Sequence, residues 1–150
     1  MYTVKALNYL LNAGWIEGRN VDIKDFESWW DQYNLSGFES AKAFMREFGG
    51  LYIEFFNHKR GLPDNMLLDV EEALAVDFPE KIDPVYAARI GRNVVPIGAA
   101  FHYSMVLLIH EYGMVYAAYD TYIIKLGRAP YDFFNFVLDL PKDVKFEEVR

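Results

Sequence analysis

The sequence predicts an α+β domain, with N-terminal helices packed on one face of a mainly antiparallel sheet and a closing C-terminal helix. Three observations predict it. The first third carries apolar residues at helical spacing. The rest carries short aliphatic and aromatic runs separated by turn residues, the mark of consecutive antiparallel strands. Two glycine-marked junctions join these parts: Gly14-Trp15-Ile16-Glu17-Gly18-Arg19 and Phe48-Gly49-Gly50-Leu51-Tyr52-Ile53. Each follows a helix-like stretch, at the point where a helix needs a left-handed stop. The chain has 150 residues, 53% of them hydrophobic, which suits one domain over 1–150 with a substantial core.

The elements follow in order. The first helix spans about Thr3 to Asn12, with Thr3 as N-cap and Val4, Leu7, Leu10 and Leu11 as its apolar stripe. The second spans about Ile23 to Tyr33, capped by Asp22, with Ile23, Phe26, Trp30 and Tyr33 on one face. Trp29 lies a step round from that face. The third starts at Ser36, where Ser36 and Glu39 make a capping box, and stops at Gly49. Leu51 to Phe56 reads as a strand, His58 to Pro63 as a loop with a basic tip, and Met66 to Leu68 as a short strand. Val70 to Val76 reads as a helical turn or two, and Pro84 to Ile90 as a short helix with proline at its first position. Val94 to Phe101, Met105 to His110, Met114 to Tyr119 and Tyr122 to Leu126 then form a meander, and Pro130 opens the last helix. The tail after Pro141 alternates charged and apolar residues, a pattern for a late strand or a frayed end. Trp15 is expected to fill the helix–sheet seam, and Arg19 to pair with a carboxylate or a helix C-terminus.

Composition excludes several classes. With no cysteine, neither a disulfide framework nor a thiolate metal site can form, which fits a reducing cytoplasm. The first residues have no basic region followed by a long apolar one, so no signal peptide is expected. The apolar runs, Met105 to Ile109 among them, are too short to span a bilayer. Net charge is −7, and Asp64 to Asp83 holds seven acidic residues against the single Lys81. An acidic segment repels nucleic acid and steers basic partners; a merely solvated face is the other reading. Asp69, Glu71 and Glu72 are its candidate partner-binding residues. Tyr116, Tyr119 and Tyr122 are the second candidate set, because an alternating strand must turn some tyrosines away from the helices, beside small alanines. Ordinary half-buried strand residues are the alternative there.

Catalytic and cofactor signatures are missing. His58, His102 and His110 have no partner at metal-ligand spacing, and His110-Glu111 lacks a second histidine four residues on. No phosphate-cradling glycine run and no nucleophile elbow occurs. No catalytic, cofactor or metal residue is therefore assigned.

In its order of short motifs the chain resembles the SUKH superfamily, in particular its third family of bacterial immunity proteins. The matching pieces are Leu11 to Trp15 with Gly18 to Asp22, Phe44 to Leu51, Val95 to Gly98, Gly113 to Tyr116, and Leu126-Gly127. Gly14, Trp15, Gly18, Arg19, Gly49 and Gly50 are the structural positions among them. The chain departs from the pattern at Glu111-Tyr112, in place of an acidic hairpin turn, and at Ala129-Pro130, in place of a capping Ser or Thr. The resemblance implies a non-enzymatic cytoplasmic protein that binds and blocks a cognate toxin, often a nuclease or deaminase with a basic surface. It implies no cofactor, nucleic acid or membrane partner. A regulatory or scaffold adaptor of the same superfamily is the main alternative, and a small-ligand domain with an unmarked pocket is a third.

Overall fold

In the computed structural model, which describes residues 1–150, three helices lead into the sheet: α1 (Val4–Asn12), α2 (Lys24–Gln32) and α3 (Glu39–Phe48). A hairpin follows, β1 (Tyr52–Asn57) and β2 (Leu62–Leu67), then α4 (Val70–Val76). A 3-10 turn at Pro79–Lys81 and a π-helical segment at Ile82–Ala87 lead into α5 (Ala88–Ile90). The meander is β3 (Val94–Ala100), β4 (Met105–His110), β5 (Met114–Tyr119) and β6 (Tyr122–Arg128). It closes with α6 (Tyr131–Val137) and a two-residue strand β7 (Glu147–Glu148). All seven strands lie in one antiparallel sheet in sequence order; tight turns join β1 to β2 and β3 through β6, while helical segments bridge β2 to β3 and β6 to β7.

The α+β architecture, the antiparallel sheet and the closing helix agree with the reading of the sequence. On one face, α3 and α6 share an aromatic cluster in which Phe44 and Phe48 pack on Phe134, and Tyr9 of α1 meets Phe55 of β1 edge-on. In β1 burial alternates: Ile53, Phe55 and Asn57 point inward while Tyr52, Glu54 and Phe56 are exposed. In β3 every residue is buried, and in β4 all but the first. Alternation vanishes there because the sheet's second face is covered too. The segment Val70–Ile90 packs against β3 and β4, and Tyr86 reaches the β5–β6 turn to bond the Asp120 carbonyl.

Local differences have clear causes. Helix α2 begins at Lys24, and Asp22 instead accepts a hydrogen bond from the Lys24 amide at 2.9 Å. The capping box does not form: α3 begins at Glu39, whose carboxylate pairs with Arg46 at 3.0 Å. Residues 35–38 serve packing instead, since a Cβ at Gly37 would lie 2.4 Å from the Trp30 ring. Strand β2 starts at Leu62, because its hairpin pairing with β1 runs the full strand length. Pro84 lies inside the π-helical segment rather than at a helix start.

Candidate functional site

Helix α1 stops at Gly14 (φ 101°), and Trp15 turns inward behind it. The indole stacks on Phe48 at 6.3 Å, meets Tyr2 edge-on at 5.6 Å, and donates its Nε1–H to Glu47 Oε2 at 3.1 Å. Trp15 therefore fills a seam between helices; the expected helix–sheet seam is occupied by Phe44, Phe133 and their neighbours. Arg19 meets a helix C-terminus: Nη1 and Nη2 donate to the Glu47 and Gly49 carbonyls, both at 2.8 Å. Those carbonyls end α3, where the helix dipole favours a cation. The two glycines beyond α3 have separate tasks. At Gly49 a Cβ would lie 2.4 Å from the Met45 carbonyl oxygen and 2.6 Å from the Phe26 ring, whereas Gly50 takes the left-handed turn (φ 83°).

The acidic segment is not one surface. Asp64 is buried and accepts from Asn57 Nδ2 and the Asn65 amide. Asp77 is held by Tyr86, by the Phe78 and Asp120 amides and by Lys81. Burial alone would raise the Asp77 carboxyl, but these hydrogen bonds outweigh it and hold the group below its ordinary value. Asp69 caps α4 by accepting from the Glu72 amide at 3.2 Å. Glu71, Glu72, Glu80 and Asp83 are exposed.

What the fold brings together is a concavity of about 400 Å³ between α2 and the start of α4. Asp22, Asp25, Asp69 and Glu71 supply its carboxylates, and Trp29 its indole. Glu72 is exposed and lies outside that lining. Asp22 and Asp25 were missed in the sequence. A signal was present: Asp22, Asp25, Trp29 and Gln32 recur at 3-4-3 spacing, one helical face carrying two carboxylates and an indole.

The tyrosines do not join this groove. Tyr116 is buried, 7% exposed, against the His110 ring, and burial pushes its hydroxyl pKa up. It cannot serve as an exposed contact, because the second sheet face is covered as well. Tyr119 and Tyr122 face each other across the β5–β6 hairpin and are exposed. Tyr122 borders a separate hollow near Lys59, Arg60 and Phe146.

No group of three His, Asp or Glu side chains is placed to hold a metal ion. His110 caps the β4–β5 turn: its Nδ1 accepts from the Tyr112 and Met114 amides at 3.0 and 3.2 Å. Burial lowers its pKa, assisted by Arg92 and Arg128.

A second, larger concavity, about 1090 Å³, opens on the other side of the loop after Trp15. Ile16 and Arg19 border it, while Asp22 of the same loop borders the acidic groove. The loop after Trp15 thus contributes residues to both concavities. A family model for SUKH-3 immunity proteins matches residues 2–139, from before α1 to just past α6. The chain belongs to the SUKH-3 immunity protein family. The match takes in both glycine junctions, the acidic groove and the meander, and ends before β7. No curated protein and no solved structure matches the chain. No helix is long and apolar enough to cross a membrane.

Proposed function

We propose that this SUKH-3 protein is a cytoplasmic, non-enzymatic immunity protein that binds a cognate toxin domain and blocks it in a stoichiometric complex. The acidic groove between α2 and α4 is the docking face. Four carboxylates on two elements meet there around one indole, with no lysine or arginine in the lining. A toxin that acts on nucleic acid carries a basic substrate groove, and this face offers it complementary potential. Trp29 adds a flat aromatic face on which a guanidinium or ammonium can rest. Such a complex covers the toxin's cleft without any chemistry by the immunity protein.

The test is association kinetics against the product of the adjacent coding sequence, at low and high salt. Asp25→Lys and Glu71→Lys are combined, both in the groove lining, and Asp69 is left in place because it caps α4. Association should slow by about tenfold or more at low salt, and the difference should shrink as salt screens the charges. If the double variant associates as fast as the wild type at low salt, the groove is only a solvated face. If the adjacent product does not bind at all, the immunity reading itself fails.

A further inference from the structure

The larger concavity beside Trp15 holds two polar groups that the fold does not use. The first is the Tyr2 hydroxyl, which is buried and has no hydrogen-bond partner. Leaving such a group unpaired costs free energy that a phenylalanine would avoid. The second is the Glu47 carboxylate. Its only donor is Trp15 Nε1, on Oε2, so Oε1 is free. Burial, then Glu47, then Tyr131 raise the Tyr2 hydroxyl above its ordinary pKa, which places the Glu47 charge near it. No salt bridge reaches that carboxylate: Arg19 borders the same groove, but its two terminal nitrogens donate to the Glu47 and Gly49 backbone carbonyls. Around these groups the walls are apolar and wet: Leu11 is 47% exposed and Ile16 is 64% exposed.

We propose that this groove is an anchor site for one arginine side chain of the protein partner. The geometry combines an apolar wall for a long stem, a carboxylate oxygen with no donor and an unpartnered hydroxyl for the head, and an aromatic edge at Trp15. A guanidinium satisfies all three: it donates to the carboxylate oxygen and to the tyrosine oxygen, and its plane stacks on rings. An apolar anchor would leave both polar groups unpaired, and an acidic one would meet Glu47. The inference rests on the proposed function for the partner's identity, and it adds a second, short-range contact next to the acidic groove. Electrostatic steering would raise the association rate, while the anchor would slow release.

The experiment uses N-acetyl-arginine amide as probe, and the Trp15 indole N–H resonance as readout, assigned with Trp15→Phe. The neutral isostere N-acetyl-citrulline amide is the control. The arginine probe should shift the resonance saturably, at millimolar affinity, and the citrulline probe should bind at least about tenfold more weakly. Glu47→Gln keeps an acceptor for Trp15 and should reduce arginine binding to the citrulline level. Tyr2→Phe should melt no earlier than the wild type yet bind the arginine probe severalfold more weakly. Equal binding of the two probes, no saturable shift, or unchanged binding by either variant overturns the proposal. Because no toxin is needed, this result is separate from the test of the immunity function. A toxin that binds wild type and Glu47→Gln with equal dissociation rates would also overturn the anchor while leaving the immunity function intact.

Discussion

Trp15 links packing to hydrogen bonding in a single side chain. Its ring lies against Phe48, and its Nε1–H holds the Glu47 carboxylate in place. Replacing it with alanine removes the ring and leaves a cavity among α1, α3 and the N-terminal Tyr2. Trp15→Ala should destabilise the fold by about 3–5 kcal/mol, as for other buried aromatics, measured by denaturant unfolding. An unchanged midpoint would show that the helical seam does not depend on it. Asp69 shows the opposite lesson at the same scale. Read as a free charge in the sequence, it proves to be the N-cap of α4, so its carboxylate has a structural task as well as a place in the groove.

At the scale of elements, the β4–β5 hairpin is held by a neutral histidine. The Nδ1 of His110 accepts two amide hydrogen bonds, and protonation there would turn an acceptor into a donor facing donors. Burial lowers the folded pKa below the ordinary 6.5, so the unfolded chain takes up the proton more readily. Stability is then full above about pH 6.5 and falls as the pH drops through the lower folded value. Asp77 adds a second loss in more acid solution, below about 3.8, because its folded pKa is also depressed. Melting temperature against pH should show both declines. In His110→Asn, whose side-chain oxygen still accepts, the decline just below pH 6.5 should flatten while the Asp77 decline remains. A wild-type melting temperature level between pH 7 and 5 would contradict this account.

At the scale of the whole molecule, the tail completes a sheet that the family match leaves open. Beyond residue 139, β7 pairs with β6, Phe146 packs on Phe101 and Phe136, and Arg89 donates to the Val149 carbonyl. Deleting residues 144–150 exposes the edge of β6 and the partly buried Phe146 site. The melting temperature should fall by roughly 5 °C, from a loss of about 1–2 kcal/mol. Binding to the toxin should be unchanged, because both concavities lie around the loop after Trp15, away from the tail. A large loss of affinity in a folded truncation would place the tail in the interface instead.

The sequence by itself determined the class of fold, the meander from β3 to β6 and the two glycine junctions. These depend on local terms: periodicity, capping residues and the left-handed turns that glycine allows. It also carried the family, since short motifs in a fixed order survive without knowledge of contacts. Only the tertiary structure decided which side chains are free. Tyr116 reads as exposed because strand alternation assumes one wet face, and in β5 both faces are buried. Asp64 and Asp77 read as surface charge, yet one is buried between hairpin strands and the other ties α4 to the β5–β6 turn. The acidic groove needs carboxylates from α2 and α4, more than forty residues apart, to meet around Trp29. Spacing along a chain fixes which residues share one helix face, but where two faces converge depends on how the helices pack.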